Sequence, residues 1–238
     1  MRRMMLASRI LAATLALSAV SATAASAQTS PPLPSAGVTT LLTLDRWVEA
    51  RAWPNSNAPV VKVVPNWTPL THSPMTLPVI QMADGGLWLR VRLPMRPDGG
   101  TGWVPNDAGF EGSTGWEIVV HVGARSAVVL DQAKVQATFP IIVGKASTPT
   151  PTGTYFVVEM LSIAPGVAEG PWALATSAYS NVLQQYDGGD GEVALHGTTG
   201  LVGQLGTFAS HGCIRFAPWA ISWIANHVVA GTPVIITN

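Results

Sequence analysis

The sequence predicts a mainly β protein in two units, the second closed by one helix near its C-terminus. Three observations carry that expectation. Short β-prone runs such as Trp88–Leu93, Trp116–Val122 and Tyr155–Leu161 recur along the chain, separated by turn residues such as Asp98-Gly99-Gly100. Only the stretch from Pro218 to Val229 carries helix start and stop signals. Apolar residues make up 47% of the 238 and charged residues 11%, which is enough to fill a core and unlike a disordered chain. The balance of 13 basic and 13 acidic residues leaves no electrostatic footprint for nucleic acid. Nine Trp are unusual, and some are expected to line a groove, although packing is the commoner use of any single one.

Residues 1–27 read as a secretory signal peptide. Arg2 and Arg3 supply the positive start, Ile10 to Val20 is an uncharged apolar run, and Ala25-Ser26-Ala27 fits small-residue cleavage. An uncleaved anchor is the alternative, but the run is short for a membrane span of ~20 residues. Cleavage implies an exported protein of the periplasm or cell envelope, with no stable membrane span. It removes Arg2, Arg3 and Arg9 and leaves 10 basic against 13 acidic residues, so no basic membrane-surface patch is evident. Residues 28–38, QTSPPLPSAGV, read as an extended linker.

Residues 39–112 read as a small all-β module. Trp88-Leu89-Arg90-Val91-Arg92-Leu93 alternates between two faces, as a half-buried strand does. The turn at Asp98-Gly99-Gly100 lets Thr101-Gly102-Trp103-Val104 return beside it, and Val48–Ala52 and Val60–Val64 supply two further strands around Pro54-Asn55-Ser56-Asn57. The turn after Arg51-Ala52, the Trp88–Val91 strand and Gly102-Trp103-Val104 together resemble bacterial SH3-like modules, small β-barrels. That resemblance implies binding of cell-wall peptides. A spacer packed on the next domain is the other reading.

Residues 116–238 read as a second β unit. Trp116–Val122 and Ala127–Leu130 form a hairpin around Gly123-Ala124-Arg125-Ser126, and Val135–Val143 is a further strand region. Thr148-Pro149-Thr150-Pro151-Thr152-Gly153 must be a loop, since neither Pro can join a central ladder. Tyr155–Leu161 is the next strand. Val193-Ala194-Leu195 runs into His196-Gly197. Pro218 suits a first helical turn, Gly231 a C-terminal cap, and Val234–Thr237 a closing strand. The Gly- and Pro-punctuated stretch 160–190, with Trp172 and Tyr179, is a candidate lid.

The chain holds one Cys, Cys213, so it makes no internal disulfide. A lone Cys in an exported chain is either a small buried hydrophobe or a thiol kept for its reactivity. The surrounding Ser210-His211-Gly212-Cys213-Ile214-Arg215 favours reactivity, because a mostly protonated thiol needs a neighbouring base. His211 is two residues away, ~6–7 Å along a strand, which is poor for a direct hydrogen bond. His196, at the end of another strand, is therefore assigned as base, with the Gly197 carbonyl able to hold its ring. The N–H groups of Gly212 and Cys213 are candidates for an oxyanion hole, and a following helix N-terminus would favour the thiolate. Arg215 either holds a substrate carboxylate or pairs with Asp187, Asp190 or Glu192. His72, His121 and His227 are scattered, without zinc spacing, and read as structural.

The Ser-His-Gly-Cys block with its upstream His196-Gly197 resembles the YkuD-type L,D-transpeptidase catalytic domain. Gly144-Lys145, Thr150-Pro151-x-Gly153 and Gly231-Thr232-Pro233-Val234 match in order across 116–238. The resemblance implies a mixed β-sheet fold, Cys213 as nucleophile, His196 as base, Gly197 as orienter, and His211, Gly212 and Cys213 around the oxyanion. Ser210 and Arg215 fall at the substrate. Arg215 departs from the Asn that many members carry. Peptidoglycan stem peptides are the implied partners, and no metal or cofactor is required. The implied reaction is 3→3 cross-linking through a thioester, in cell-wall biogenesis and cell shape. Two alternatives are L,D-carboxypeptidase action and hydrolysis of a cross-link or protein anchor. A further one, from another class, is a non-catalytic wall-binding protein.

Overall fold

Two β-sheets share the packing of a single strand. The computed structural model describes residues 37–185 and 189–238; the expected signal peptide, linker residues 28–36 and Asp187 lie outside the described residues. The first sheet comprises β1 (Thr39–Leu44), β2 (Val48–Arg51), β3 (Val60–Val64), β4 (Thr76–Ala83), β5 (Trp88–Arg92), β6 (Thr101–Pro105) and β7 (Gly109–Thr114), in the order β3-β2-β6-β5-β4-β1-β7. All neighbours are antiparallel. The alternation of β5 is as expected, with Leu89 and Val91 fully buried. Gly99 takes φ +81° in the turn before β6.

The second sheet begins with β8 (Trp116–His121), β9 (Ser126–Asp131) and β10 (Lys134–Pro140). The short β11 (Val143–Gly144) leads to the long β12 (Gly153–Ser162), then β13 (Trp172–Tyr179) and β14 (Glu192–Gly197). β15 (Phe208–Ser210) and β16 (Ile214–Phe216) flank Cys213, and helix α1 (Pro218–Ala225) and β17 (Pro233–Thr237) complete the chain. The order is β10-β9-β8-β17-β12-β13-β14-β16, and β11 pairs with β15 separately. The sheet is mixed, because β17·β8 and β14·β16 run parallel.

The helix is one turn shorter than its sequence signals imply. Asn226 caps it. The chain beyond is recruited by β12: Gly231 N–H donates to the Val157 carbonyl (2.7 Å) and Val157 N–H to that of Thr232 (2.9 Å). Backbone used that way cannot continue a helix. His227 therefore lies past the helix end, stacked on Trp223 at 4.1 Å. The stretch 160–190 is likewise not one lid. Its middle is β13, a buried strand, and among the described residues only the flanking stretches 163–171, 180–185 and 189–191 are free of strand pairing over most of their length.

β12 is buried on both faces, which explains its unbroken apolar run. Tyr155 and Val157 belong to the core of the second unit, whereas Phe156 and Val158 complete the core of the first. The register against β13 shifts between Val157 and Glu159, and Glu159 turns to the first unit. There its buried carboxylate accepts the N–H groups of Leu70 (3.3 Å) and Thr71 (2.9 Å) and the Thr71 hydroxyl (2.9 Å).

Candidate active site

The loop around Cys213 is held from one side by the loop after β11. Gly144 N–H donates to Thr150 Oγ1 (2.9 Å), which donates to the Gly212 carbonyl (2.8 Å). Lys145 N–H reaches the Ser210 carbonyl (3.1 Å). Thr148 Oγ1 donates to the same carbonyl (3.4 Å). Gly144 is required here, since a Cβ would lie 2.3 Å from the Thr148 carbonyl. The spaced Gly-Lys and Thr-Pro-x-Gly matches are thus a cradle for the Cys213 loop.

The Ser210 side chain is engaged within its own turn. It is fully buried, its hydroxyl donating to the Cys213 carbonyl (2.6 Å) and accepting Gly212 N–H (3.2 Å), so it staples the turn. That bond also occupies the Gly212 N–H, which was a candidate oxyanion donor. Gly212 itself sits at φ +125°, in a region that favours glycine. The helix N-terminus does not assist the thiol either. Strand β16 intervenes, and three extended residues span ~10 Å, beyond the reach of a helix end.

Cys213, His196, His211 and Arg215 line one cavity of about 200 Å³. Parallel pairing sets His196 beside Arg215 on the adjoining strands β14 and β16. His196 Nδ1 lies 2.7 Å from the Gly197 carbonyl. A carbonyl only accepts, so Nδ1 carries the proton and Nε2 is left as the basic nitrogen. Gly197 also has no room for a side chain, because a Cβ would sit 1.8 Å from the Gly170 carbonyl. The loop before β13 closes over it, Gly197 N–H donating to the Glu169 carbonyl (3.0 Å).

Burial lowers the pKa of His196, the Gly197 bond opposes that, and the Arg215 charge adds to it. Burial raises the Cys213 thiol, against a hydrogen bond from the Ala194 backbone and the Arg215 charge. Both main effects favour a neutral thiol and a neutral imidazole in this shared cavity.

Arg215 is 8% exposed, and its Nη1 donates to the Val202 carbonyl at 2.9 Å. Among the described residues it forms no ion pair, so pairing with Asp190 or Glu192 does not occur. Its Nε is buried without a partner. His211 is exposed at the rim, its Nε2 3.3 Å from Lys145 Nζ.

Several cavity residues carry no sequence signal. Glu169 comes from the loop before β13, Ala194 supplies a backbone contact, and Leu183 and Leu201 add apolar wall. No Trp lines the cavity. Trp116 and Trp223 pack against each other (6.0 Å), and Phe139 packs with Trp219 and Trp223 by the helix. Trp47 and Trp67 pair on the surface of the first unit. His121 is structural as expected, its Nδ1 3.0 Å from Thr237 Oγ1.

Known proteins resemble this chain. The YkuD protein of Bacillus subtilis (strain 168), named as an L,D-transpeptidase, is 31% identical over 123 residues, covering 52% of this chain and 66% of that protein. The chain thus spans just under two thirds of that relative. A solved L,D-transpeptidase from Mycobacterium tuberculosis H37Rv is 18% identical, with 80% of this chain and 77% of that one covered and a TM-score of 0.46. One from Mycobacterium smegmatis is 22% identical, with 63% and 91% covered and a TM-score of 0.41. The model of the L,D-transpeptidase catalytic domain matches residues 115–236, just over half of the chain, and the chain belongs to that YkuD family.

Proposed function

We propose that the protein is an exported peptidoglycan L,D-transpeptidase that forms 3→3 cross-links through a thioester on Cys213. The observation that carries this is the shared cavity of Cys213, His196 and Arg215, with the His196 ring held by Gly197. His196 Nε2 takes the thiol proton as the sulfur attacks the carbonyl of the L-centre of a diamino acid in a stem tetrapeptide. The C–S bond forms, and the imidazolium gives its proton to the departing amine of D-alanine as the C–N bond breaks. An amine of a second stem then attacks the thioester, gives a proton to His196, and the thiol is restored. Water in place of that amine yields L,D-carboxypeptidase activity.

With the Gly212 N–H engaged by Ser210, the backbone N–H of Cys213 is the better oxyanion donor. The unpartnered Nε of Arg215 suits a substrate carboxylate. The first unit is read as an SH3-like module whose antiparallel strands and shared core support a packed, supporting role rather than an independent one.

Mass analysis of muropeptides after incubation with the mature protein tests the reading. Free D-alanine and 3→3 dimers are expected. Cys213→Ala should lower both by at least about a thousandfold. D-alanine without dimers would assign the carboxypeptidase, and neither product would overturn the proposal.

A further inference from the structure

The chemistry above uses no residue of the first unit, yet that unit reaches the cavity wall. Arg96 lies in the connection between β5 and β6. Its Nη1 donates to the Ser180 carbonyl (2.9 Å), and its Nη2 to the carbonyls of Leu183 (3.2 Å) and Asp190 (2.7 Å). The guanidinium carbon stands 4.9 Å over the Tyr179 ring. Two residues on, Asp98 accepts the Tyr179 N–H (3.0 Å) and the Tyr155 hydroxyl (3.2 Å).

The segment held this way is part of the cavity. Ser180, Leu183, Gly191 and Glu192 line it together with Cys213 and His196. Its own ties are local: Ser180 N–H to the Gly191 carbonyl (2.8 Å), and the Val182 and Leu183 N–H groups to Ser180 Oγ. Arg96 therefore joins the outgoing and returning ends of the loop through one planar cation. Gly191 makes the seat, since at φ +70° a Cβ would lie 2.1 Å from the Leu183 carbonyl and 3.1 Å from Arg96 Nη2. A fork of fixed N–H donors suits three carbonyls, whereas an ammonium is a single point charge.

We propose that Arg96 is a positioning residue for the substrate cavity, through which the first unit sets the wall at 180–183 and 190–192. The inference concerns the shape of the cavity and stands whatever acyl group enters it; only its kinetic readout rests on the proposed function.

The test compares the full mature protein with its Arg96→Ala and Arg96→Lys variants by hydrogen exchange, iodoacetamide alkylation of Cys213 and donor kinetics. In Arg96→Ala, exchange at the Val182 and Leu183 amides should rise about tenfold while β5 and β6 keep their protection. Alkylation of Cys213 should change by about threefold or more, as the wall that limits access loosens. KM for a stem tetrapeptide should rise about tenfold with kcat within about threefold, the pattern of lost substrate positioning. Arg96→Lys, which keeps the charge, should recover less than half of the lost protection. Unchanged exchange and alkylation in a folded Arg96→Ala protein would overturn the proposal. A loosened wall in a protein whose parent releases no D-alanine would sustain it and remove the transpeptidase reading instead.

Discussion

The two units of this chain are both β-sheets, but they depend on each other unequally. The core of the second unit draws every buried member from residues 118–236. The core of the first is unfinished without Phe156 and Val158, which β12 lends from the other side. In return the first unit gives polar ties, Arg96 and Asp98, to the loop that walls the cavity. Apolar support thus runs one way, while polar ties run both ways, since Glu159 of β12 also holds Leu70 and Thr71 of the first unit. A unit with an incomplete core is poorly suited to act as a detached binding module, which favours the spacer reading of residues 39–112.

Phe156→Ala gives the largest expected effect on that asymmetry. The ring is fully buried and faces the first core, so its loss should cost about 3–5 kcal/mol. The loss should appear as early unfolding and proteolysis within 39–114, while the second unit keeps its structure in urea. Equal loosening of both units would break the comparison and make the chain one cooperative body.

A smaller effect is expected where the same strand gives a polar group. Glu159 is 2% exposed and its carboxylate accepts three hydrogen bonds from Leu70 and Thr71. Glu159→Ala leaves those donors facing a void and should cost about 2–3 kcal/mol. Glu159→Gln, which keeps an acceptor, should recover part of it. Urea midpoints of the three proteins measure the order, and a neutral Ala variant would show that the loop finds water instead.

The sequence made legible what is local. Alternation in β5, the loop at Thr148–Gly153 and the run from β14 into His196 all depend on spacing within a few residues, and each stands where expected. The matching Gly-Lys and Thr-Pro-x-Gly segments were legible as a pattern but not as a cradle. Their partners lie 62 or more residues away for Thr148 and Thr150. The same distance hid Arg96, whose carbonyl partners are 84 to 94 residues on. The inward bonds of the Ser210 hydroxyl were equally hidden, because they form only once the Ser210–Cys213 turn closes. The helix was overextended because β12 competes for its last residues, a tertiary demand that capping signals do not contain.

The smallest expected effect separates the units by pH. His196 is buried with its pKa held below the ordinary 6.5, first by desolvation. Below that pH the unfolded chain takes a proton that the folded site resists. The stability this contributes is therefore present above about 6.5 and is lost as pH falls toward the folded value. Cys213 is pushed above its ordinary 9.0 by burial, so its contribution is lost as pH rises beyond that. The second unit should be most stable between these limits. The first unit, whose His72 is exposed, has no buried imidazole to match. His196→Gln should remove part of the acid loss, by no more than about 1.4 kcal/mol per pH unit below 6.5. Urea midpoints of both proteins from pH 8 to pH 5 measure this, and parallel curves would show that folding leaves the affinity of His196 for its proton unchanged.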